Sequence, residues 1–265
     1  MTFVQMPCAC TIAGSDCGGG AGIQADLKTF SAFDVWGCSV IAALTAQNPE
    51  GVLGIVNTES EFVALQMQAV LEGFDICAFK TGMLPTPDII KTVGRMLPKE
   101  IPLVVDPVMV STSGNKLCCD EALFALEKFL LSRCTLITPN IPEACALSGL
   151  DEISSEEDII SAAEIIQNFG AQNVLIKGGH MKGRLSVDYL FGPFGMSKLT
   201  GERFSYEIHG SGCSLSAAIA AGLCRGMSVE KSCCEAKKFI ESSIRHAFIS
   251  KTGHYSVNPV HFLRI

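Results

Sequence analysis

The sequence predicts an α/β fold of three layers, with a mostly parallel central sheet and helices on both faces. Short, nearly all-apolar runs recur along the chain, as strands buried on both faces do. Stretches of helical periodicity alternate with them, which is the pattern of a parallel sheet with crossover helices. Of 265 residues, 48% are apolar and only 18% charged, enough to fill a large core.

The elements follow in order. Residues 9–13 read as a strand, 14–22 as a loop, and Ile23, Leu27 and Phe30 at i, i+4, i+7 as a helical stripe. Residues 38–44 form the next strand, and Phe62, Leu65 and Ala69 open another apolar stripe. Leu103–Val105, residues 136–138 and Val174–Ile176 are short buried strands. Between the last two, Ser154 and Glu157 form a capping-box pattern ahead of Ile159, Ala163 and Ile166, and Gly170 stops that helix. Leu215, Ile219 and Leu223, spaced by four, place a further helix that starts near Cys213. No low-complexity linker, repeat or charge block divides the chain, so one domain over residues 1–265 is expected.

Charge and cysteine usage narrow the partners. The net charge is -7, and Lys237-Lys238 is the only adjacent basic pair. Such a chain repels nucleic acid and anionic membranes. Thirteen cysteines lie mostly in apolar segments, with no CxxC pair matched by a second; Cys38, Cys77, Cys134 and Cys224 read as small buried hydrophobes. The first six residues carry no positive charge. No window reaches the roughly 18 apolar residues of a membrane span. A cytoplasmic protein is expected.

Three groups of residues could carry chemistry. His209-Gly210-Ser211-Gly212-Cys213 stands ahead of an Ala- and Gly-rich helix. Its backbone N–H groups and the helix dipole suit an anion, and the dipole would lower the Cys213 pKa. The same residues also read as a tight turn with an inert cysteine. Five glycines in residues 14–22 permit close approach of a ligand or another segment, without matching a Walker loop or GxGxxG. Finally, Gln47, Asp106, Asn140, Glu143 and Lys177 each follow a strand, where a site at the sheet's carboxyl edge belongs. Asp and Glu hold Mg²⁺ directly or through water, and Lys neutralises phosphate. Taken singly, each is as well a turn or cap residue, and Asn140 could simply start a helix.

Seven segments together resemble one family: 13–30 (AGSDCGGGAGIQADLKTF), 45–48 (TAQN), 80–84 (KTGML), 105–114 (VDPVMVSTSG), 136–144 (LITPNIPEA), 175–180 (LIKGGH) and 209–214 (HGSGCS). They are similar to the hydroxymethylpyrimidine and phosphomethylpyrimidine kinases of thiamine biosynthesis, within the ribokinase-like superfamily. The resemblance implies MgATP as co-substrate and a homodimer. It would make Gly210, Ser211 and Gly212 the anion hole over the transferring phosphoryl group, and Cys213 the catalytic base. Asn140, Glu143 and Lys177 would serve ATP, with Asp106 and Glu143 near Mg²⁺. Gln47 would read the aminopyrimidine, and Gly14, Asp26, Met83 and Val108 would shape its pocket. The alternative is a pyridoxal or pyridoxine kinase of the same superfamily; Gln47 and Lys177-Gly178-Gly179-His180 favour the pyrimidine. A regulator without activity would require a degraded site, and a nicotinamide dehydrogenase would require the missing GxGxxG.

Overall fold

The computed structural model describes residues 5–108, 120–178 and 185–261. The chain opens with β1 (Cys8–Asp16), α1 (Gly22–Ala32), β2 (Trp36–Asn48), β3 (Gly51–Asn57) and α2 (Ser60–Gly73). It continues through β4 (Ile76–Thr81), α3 (Pro87–Met96), β5 (Leu103–Val105), α4 (Asp120–Phe129), β6 (Leu136–Ile137) and α5 (Ile141–Ser148). Next come α6 (Glu156–Asn168), β7 (Val174–Ile176), β8 (Leu185–Gly192), β9 (Gly195–Glu202) and β10 (Ile208–His209). It closes with α7 (Ser211–Cys224), α8 (Val229–Arg245), β11 (Phe248–Ile249) and β12 (Tyr255–Ser256).

Nine strands form one sheet in the order β3-β2-β1-β4-β5-β6-β7-β8-β9. Pairing is parallel from β2 through β7, and β3, β8 and β9 join antiparallel at the two edges. Side-chain alternation divides each inner strand between two cores. Cys8, Cys10, Ile12, Leu103 and Val105 pack with α2 to α6, whereas Ala9, Ala78 and Val104 pack with α1, α7 and α8. This is the expected three-layer arrangement.

The chain runs outward from β1 to β2 and β3, then returns to add β4 on the other side of β1. That reversal opens a crevice beyond the strands' carboxyl ends. The loop after β1 lies beside it, and α7 points its N-terminus there.

Several local expectations shift. β1 runs on to Asp16, so Gly14 belongs to a strand. α2 forms as expected but turns Val63 and Met67 inward, leaving Phe62 57% and Leu65 58% exposed. Its apolar residues occupy both sides, so periodicity alone picked the wrong stripe. The capping box of α6 is Ser155 with Asp158, one residue later than expected, because Asp158 accepts from the Ser155 N–H and the Ser155 hydroxyl from the Asp158 N–H. Cys77 is exposed, unlike Cys38, Cys134 and Cys224. Residues 109–114 of the fourth segment, Cys118-Cys119 and Gly179-His180 lie outside the described residues.

The helix α7 is buried from Ser214 to Cys224 because small residues let α8 approach closely. A Cβ added at Gly222 would lie 2.7 Å from Ser232 Oγ and 3.2 Å from its Cα. Gly222→Val should therefore lower unfolding free energy by about 1–3 kcal/mol in a urea titration. Gly73→Ala, at the end of α2 with nothing near its Cβ, should be neutral or up to about 1 kcal/mol stabilising.

Candidate active site

β1 delivers its last residue, Asp16, to the crevice, where it is 3% exposed. Asp16 Oδ1 accepts from the Gly18 N–H at 2.8 Å, and Oδ2 from those of Gly20 at 3.1 Å and Ala21 at 2.8 Å. Oδ2 also lies 3.0 Å from His209 Nε2, and the Gln47 side chain favours the ionised form of the same carboxylate. Burial pushes the Asp16 pKa up, but His209, Gln47 and the loop amides outweigh it and hold it at about 2. A second tie joins the loop to β2. The Cys17 thiol donates to the Gln47 carbonyl at 3.1 Å and accepts from the Gln47 N–H at 3.3 Å. The glycine-rich segment is thus wrapped on one charged side chain and clasped to Gln47.

The second loop starts α7. Gly210 caps it with φ 82°, a left-handed conformation, and the first intrahelical bond is Ser214 N–H to the Gly210 carbonyl at 3.0 Å. The N–H groups of Ser211, Gly212 and Cys213 therefore precede the ladder, as an anion hole requires. A Cβ at Gly212 would sit 3.3 Å from Lys177 Nζ and 4.0 Å from Asp106 Oδ2, so the lysine faces the helix start. Lys177 Nζ lies 3.1 Å from Asp106 Oδ1 and 3.8 Å from Glu143 Oε2. Thr138 Oγ1 and Ser216 Oγ donate to the two oxygens of Asp106 at 3.3 and 3.2 Å. Burial would raise the Asp106 pKa, but the Lys177 and Lys80 ammoniums outweigh it and hold the carboxyl below its usual range.

Asn140 and Glu143 form a reciprocal capping box on α5. The Glu143 N–H donates to Asn140 Oδ1 and the Asn140 N–H to Glu143 Oε2, both at 2.8 Å. Asn140 has the structural role that its sequence position also allowed. Glu143 is buried and does two things, capping the helix and facing Lys177.

Beneath this lies an ion pair that sequence reasoning missed. Lys80 and Asp26 are both 0% exposed, with Lys80 Nζ 2.8 and 3.0 Å from the Asp26 oxygens. Thr11 Oγ1 donates to Asp26 Oδ2 at 2.6 Å. Burial pulls the Lys80 pKa down, yet Asp26 outweighs burial and raises it above the ordinary lysine value. Asp26 is thus committed to Lys80, with no exposed surface of its own. The signal was a lysine in the otherwise apolar strand β4: it had to find a buried partner.

Cys213 stands among these charges. Burial pushes its thiol up to about 11; Lys80 opposes this, Asp106 and Asp26 add to it, and the Gly22 N–H lowers it slightly. The expected lowering by the helix N-terminus does not hold, because burial and two carboxylates outweigh it. The remaining expected residues fall nearby. Gly14 lies against the Met83 thioether, and Gly22, at φ 57°, against the Gly14 carbonyl. Val108 is half-buried, and its N–H donates to the Asp106 carbonyl at 2.9 Å. A cavity of about 380 Å³ opens on another side of the glycine loop, between Asp16, Lys28, His209 and Val260. Sequence reasoning had assigned no role to its C-terminal wall, where β12 pairs with β10.

A family model described as phosphomethylpyrimidine kinase matches residues 16–258. A hydroxymethylpyrimidine/phosphomethylpyrimidine kinase from Rhizobium meliloti (strain 1021) is 42% identical over 257 residues, 96% of each chain. Among solved structures, an ADP complex of Bacillus subtilis pyridoxal kinase superposes with TM-score 0.91 at 36% identity, covering 98% of this chain and all of that one. A phosphomethylpyrimidine kinase from Clostridium difficile 630 gives TM-score 0.79 at 40% identity, covering 89% and 99%.

The raised Cys213 pKa makes a chemical forecast. With a pKa of about 11, about one thiol in a thousand is thiolate at pH 8. Iodoacetamide should therefore label the exposed Cys17, Cys77 and Cys234 first. Cys213 labelling, followed by peptide mass spectrometry, should quicken about tenfold per pH unit. Labelling of Cys213 as fast as Cys17 at pH 8 would contradict this.

Proposed function

The chain belongs to the phosphomethylpyrimidine kinase family, and we propose that it transfers a phosphoryl group from MgATP to 4-amino-5-hydroxymethyl-2-methylpyrimidine and to its monophosphate, in thiamine biosynthesis. The observation that carries this reading is the convergence of Lys177, Asp106 and Gly212 at the start of α7, beside Cys213. Phosphoryl transfer needs positioning and charge stabilisation above all. The backbone N–H groups of Ser211, Gly212 and Cys213 would receive the transferring group, and Lys177 would neutralise its oxygens.

Among the described residues, no three or more His, Cys, Asp or Glu gather as a metal cage. Two carboxylates, Asp106 and Glu143, flank Lys177. This suits Mg²⁺, which binds through one or two carboxylates with the phosphates themselves. When bound it would neutralise phosphate charge, with Asp106 and Glu143 as its protein ligands.

Gln47, clasped at the crevice by Cys17, would read the aminopyrimidine, with Gly14, Met83 and Val108 around it. The second reading is a pyridoxal kinase, favoured by the TM-score of 0.91 to the Bacillus subtilis enzyme. The pyrimidine is supported by the R. meliloti relative's higher identity and by the carboxamide's paired donor and acceptor. All described cysteines are free, which supports a reducing, cytoplasmic setting. No helix of the described residues is long and apolar enough to cross a membrane.

A homodimer is supported by exposed apolar side chains on β3 and α2: Leu53 is 81% and Val56 68% exposed, and Phe62 and Leu65 are exposed as well. A second copy would cover them. Leu53→Asp with Phe62→Asp should convert a dimer into a folded monomer by light scattering; an unchanged mass would remove this face from the interface.

The function is tested with a panel of hydroxymethylpyrimidine, its monophosphate, pyridoxal, pyridoxine and ribose under MgATP. The pyrimidines should give the highest kcat/KM; preference for pyridoxal selects the second reading. Cys213→Ser should keep ATP binding and lose about 10²–10⁴-fold in turnover, the usual contribution of a positioned base. Because the thiol pKa is raised, the thiolate fraction climbs through neutral pH, so wild-type kcat should rise with pH and the Cys213→Ser residual should not. Full activity in Cys213→Ser would end the base role.

A further inference from the structure

A lysine is a point charge on a flexible stem, so its use at a phosphoryl group depends on how its root is held. The structure holds the root of Lys177 from both sides. The Lys177 N–H donates to the Pro139 carbonyl at 2.8 Å, within a parallel bridge between Asn140 and Lys177. The next N–H, that of Gly178, donates to Asp188 Oδ1 at 3.0 Å. These two N–H groups belong to the peptide planes before and after the Lys177 Cα. A residue has only two soft backbone dihedrals, so pinning both planes fixes the direction of its Cα–Cβ bond.

Asp188 is held in turn. It stands on β8, 4% exposed, one residue before the Tyr189 that pairs with Ile176 at the end of β7. Its Oδ2 accepts from Lys237 Nζ on α8 at 2.7 Å, and Lys237 also donates to Ser186 Oγ at 3.1 Å. With one oxygen engaged on each side, the carboxylate cannot turn away from Gly178. Gly178 is buried, and a Cβ there would strike the Val187 carbonyl, so the β8 backbone presses on the same peptide.

We propose that Asp188 is a positioning residue for phosphoryl transfer: by accepting from the Gly178 N–H it fixes the Lys177 backbone and so aims the ammonium at the start of α7. This rests on the reading of Lys177 given above. What the reaction needs at position 188 is an acceptor; the negative charge serves only the pairing with Lys237. Without the acceptor a buried N–H loses its partner and the peptide after Lys177 turns to find another. A displacement of about 1 Å at a positioned group costs on the order of a hundredfold in rate.

The test measures kcat/KM for MgATP with the best acceptor of the panel above, after circular dichroism shows each variant folded. Asp188→Asn with Lys237→Gln removes the charge pair but keeps an oxygen for Gly178, and this conservative variant should stay within about threefold of wild type. Asp188→Leu with Lys237→Met removes the acceptor as well and should lose about 10–100-fold. Should that pair not fold, Asp188→Ser with Lys237→Gln replaces it, since a serine hydroxyl stops one bond short of Gly178. Lys177→Met alone should lose about a hundredfold or more. Adding the acceptor-less pair to Lys177→Met should change the rate by less than about threefold, because no ammonium is left to aim. A merely structural role would repeat the full loss in that background, and that result overturns the proposal. So does an equal rate in the conservative and acceptor-less variants. If Lys177→Met keeps the wild-type rate, the reading of Lys177 itself fails and takes this inference with it.

Discussion

Charge buried at the carboxyl edge of the sheet has to be balanced locally, and the site is built around that requirement. Asp26 on α1, Lys80 on β4, Asp106 after β5, Lys177 after β7 and Glu143 on α5 alternate in sign across neighbouring elements. Lys80 also acts electrostatically on Asp106, which joins the two pairs into one series. Removing either lysine would leave buried carboxylates uncompensated, which costs about 3–5 kcal/mol in comparable cases. Each strand must therefore end in the register that meets its partner. The closely packed α7, with Ser216 bonded to Asp106, closes the series from above.

Three acids against two lysines leave the series with one net negative charge. Burial is the first reason that Cys213 keeps its proton, and the Asp106 and Asp26 charges add to it. A thiolate there would add to the surplus, so the proton stays on unless a cation joins the site. A polyphosphate arriving alone would meet the same surplus. Lys177 and the N–H groups at the start of α7 offset part of it, and a divalent cation on Asp106 and Glu143 would offset the rest. On the proposed reading, nucleotide and Mg²⁺ would arrive together.

The strands could be read from the sequence because each is a short apolar run with no competing pattern, and Leu103–Val105 and Val174–Ile176 appear where expected. The helix α2 was read on the wrong face because its apolar residues surround it. Asn140 and Glu143 were expected at the site, and Asn140 also as a helix start; the structure shows them as a reciprocal cap, with Glu143 Oε2 3.8 Å from Lys177 Nζ as well. Asp16 went unnoticed because Gly-Ser-Asp-Cys-Gly looks like a solvated turn. What makes Asp16 a hub is the convergence of its own loop amides with His209, 193 positions on. No local pattern encodes that. Lys80 was hidden by the ordinary expectation that lysine is exposed.

The two glycine motifs, 195 residues apart, turn out to explain one another. A Cβ at Gly210 would strike the Gly20 carbonyl, and one at Gly20 would meet His209 Cδ2 at 2.7 Å and Ser256 Oγ at 2.9 Å. The glycines in these loops therefore serve the contact between the loops at least as much as the approach of a ligand. Asp16 bonds the amides on one side and His209 on the other, so the substrate-side loop and the anion-side loop share one anchor. The strand pair β10–β12 then braces His209 from the C-terminal side. On the proposed reading, a hydroxymethyl group at the first loop and a phosphoryl group at the second would be positioned by the same carboxylate. Positioning of that kind converts an encounter of two ligands into an effectively intramolecular step.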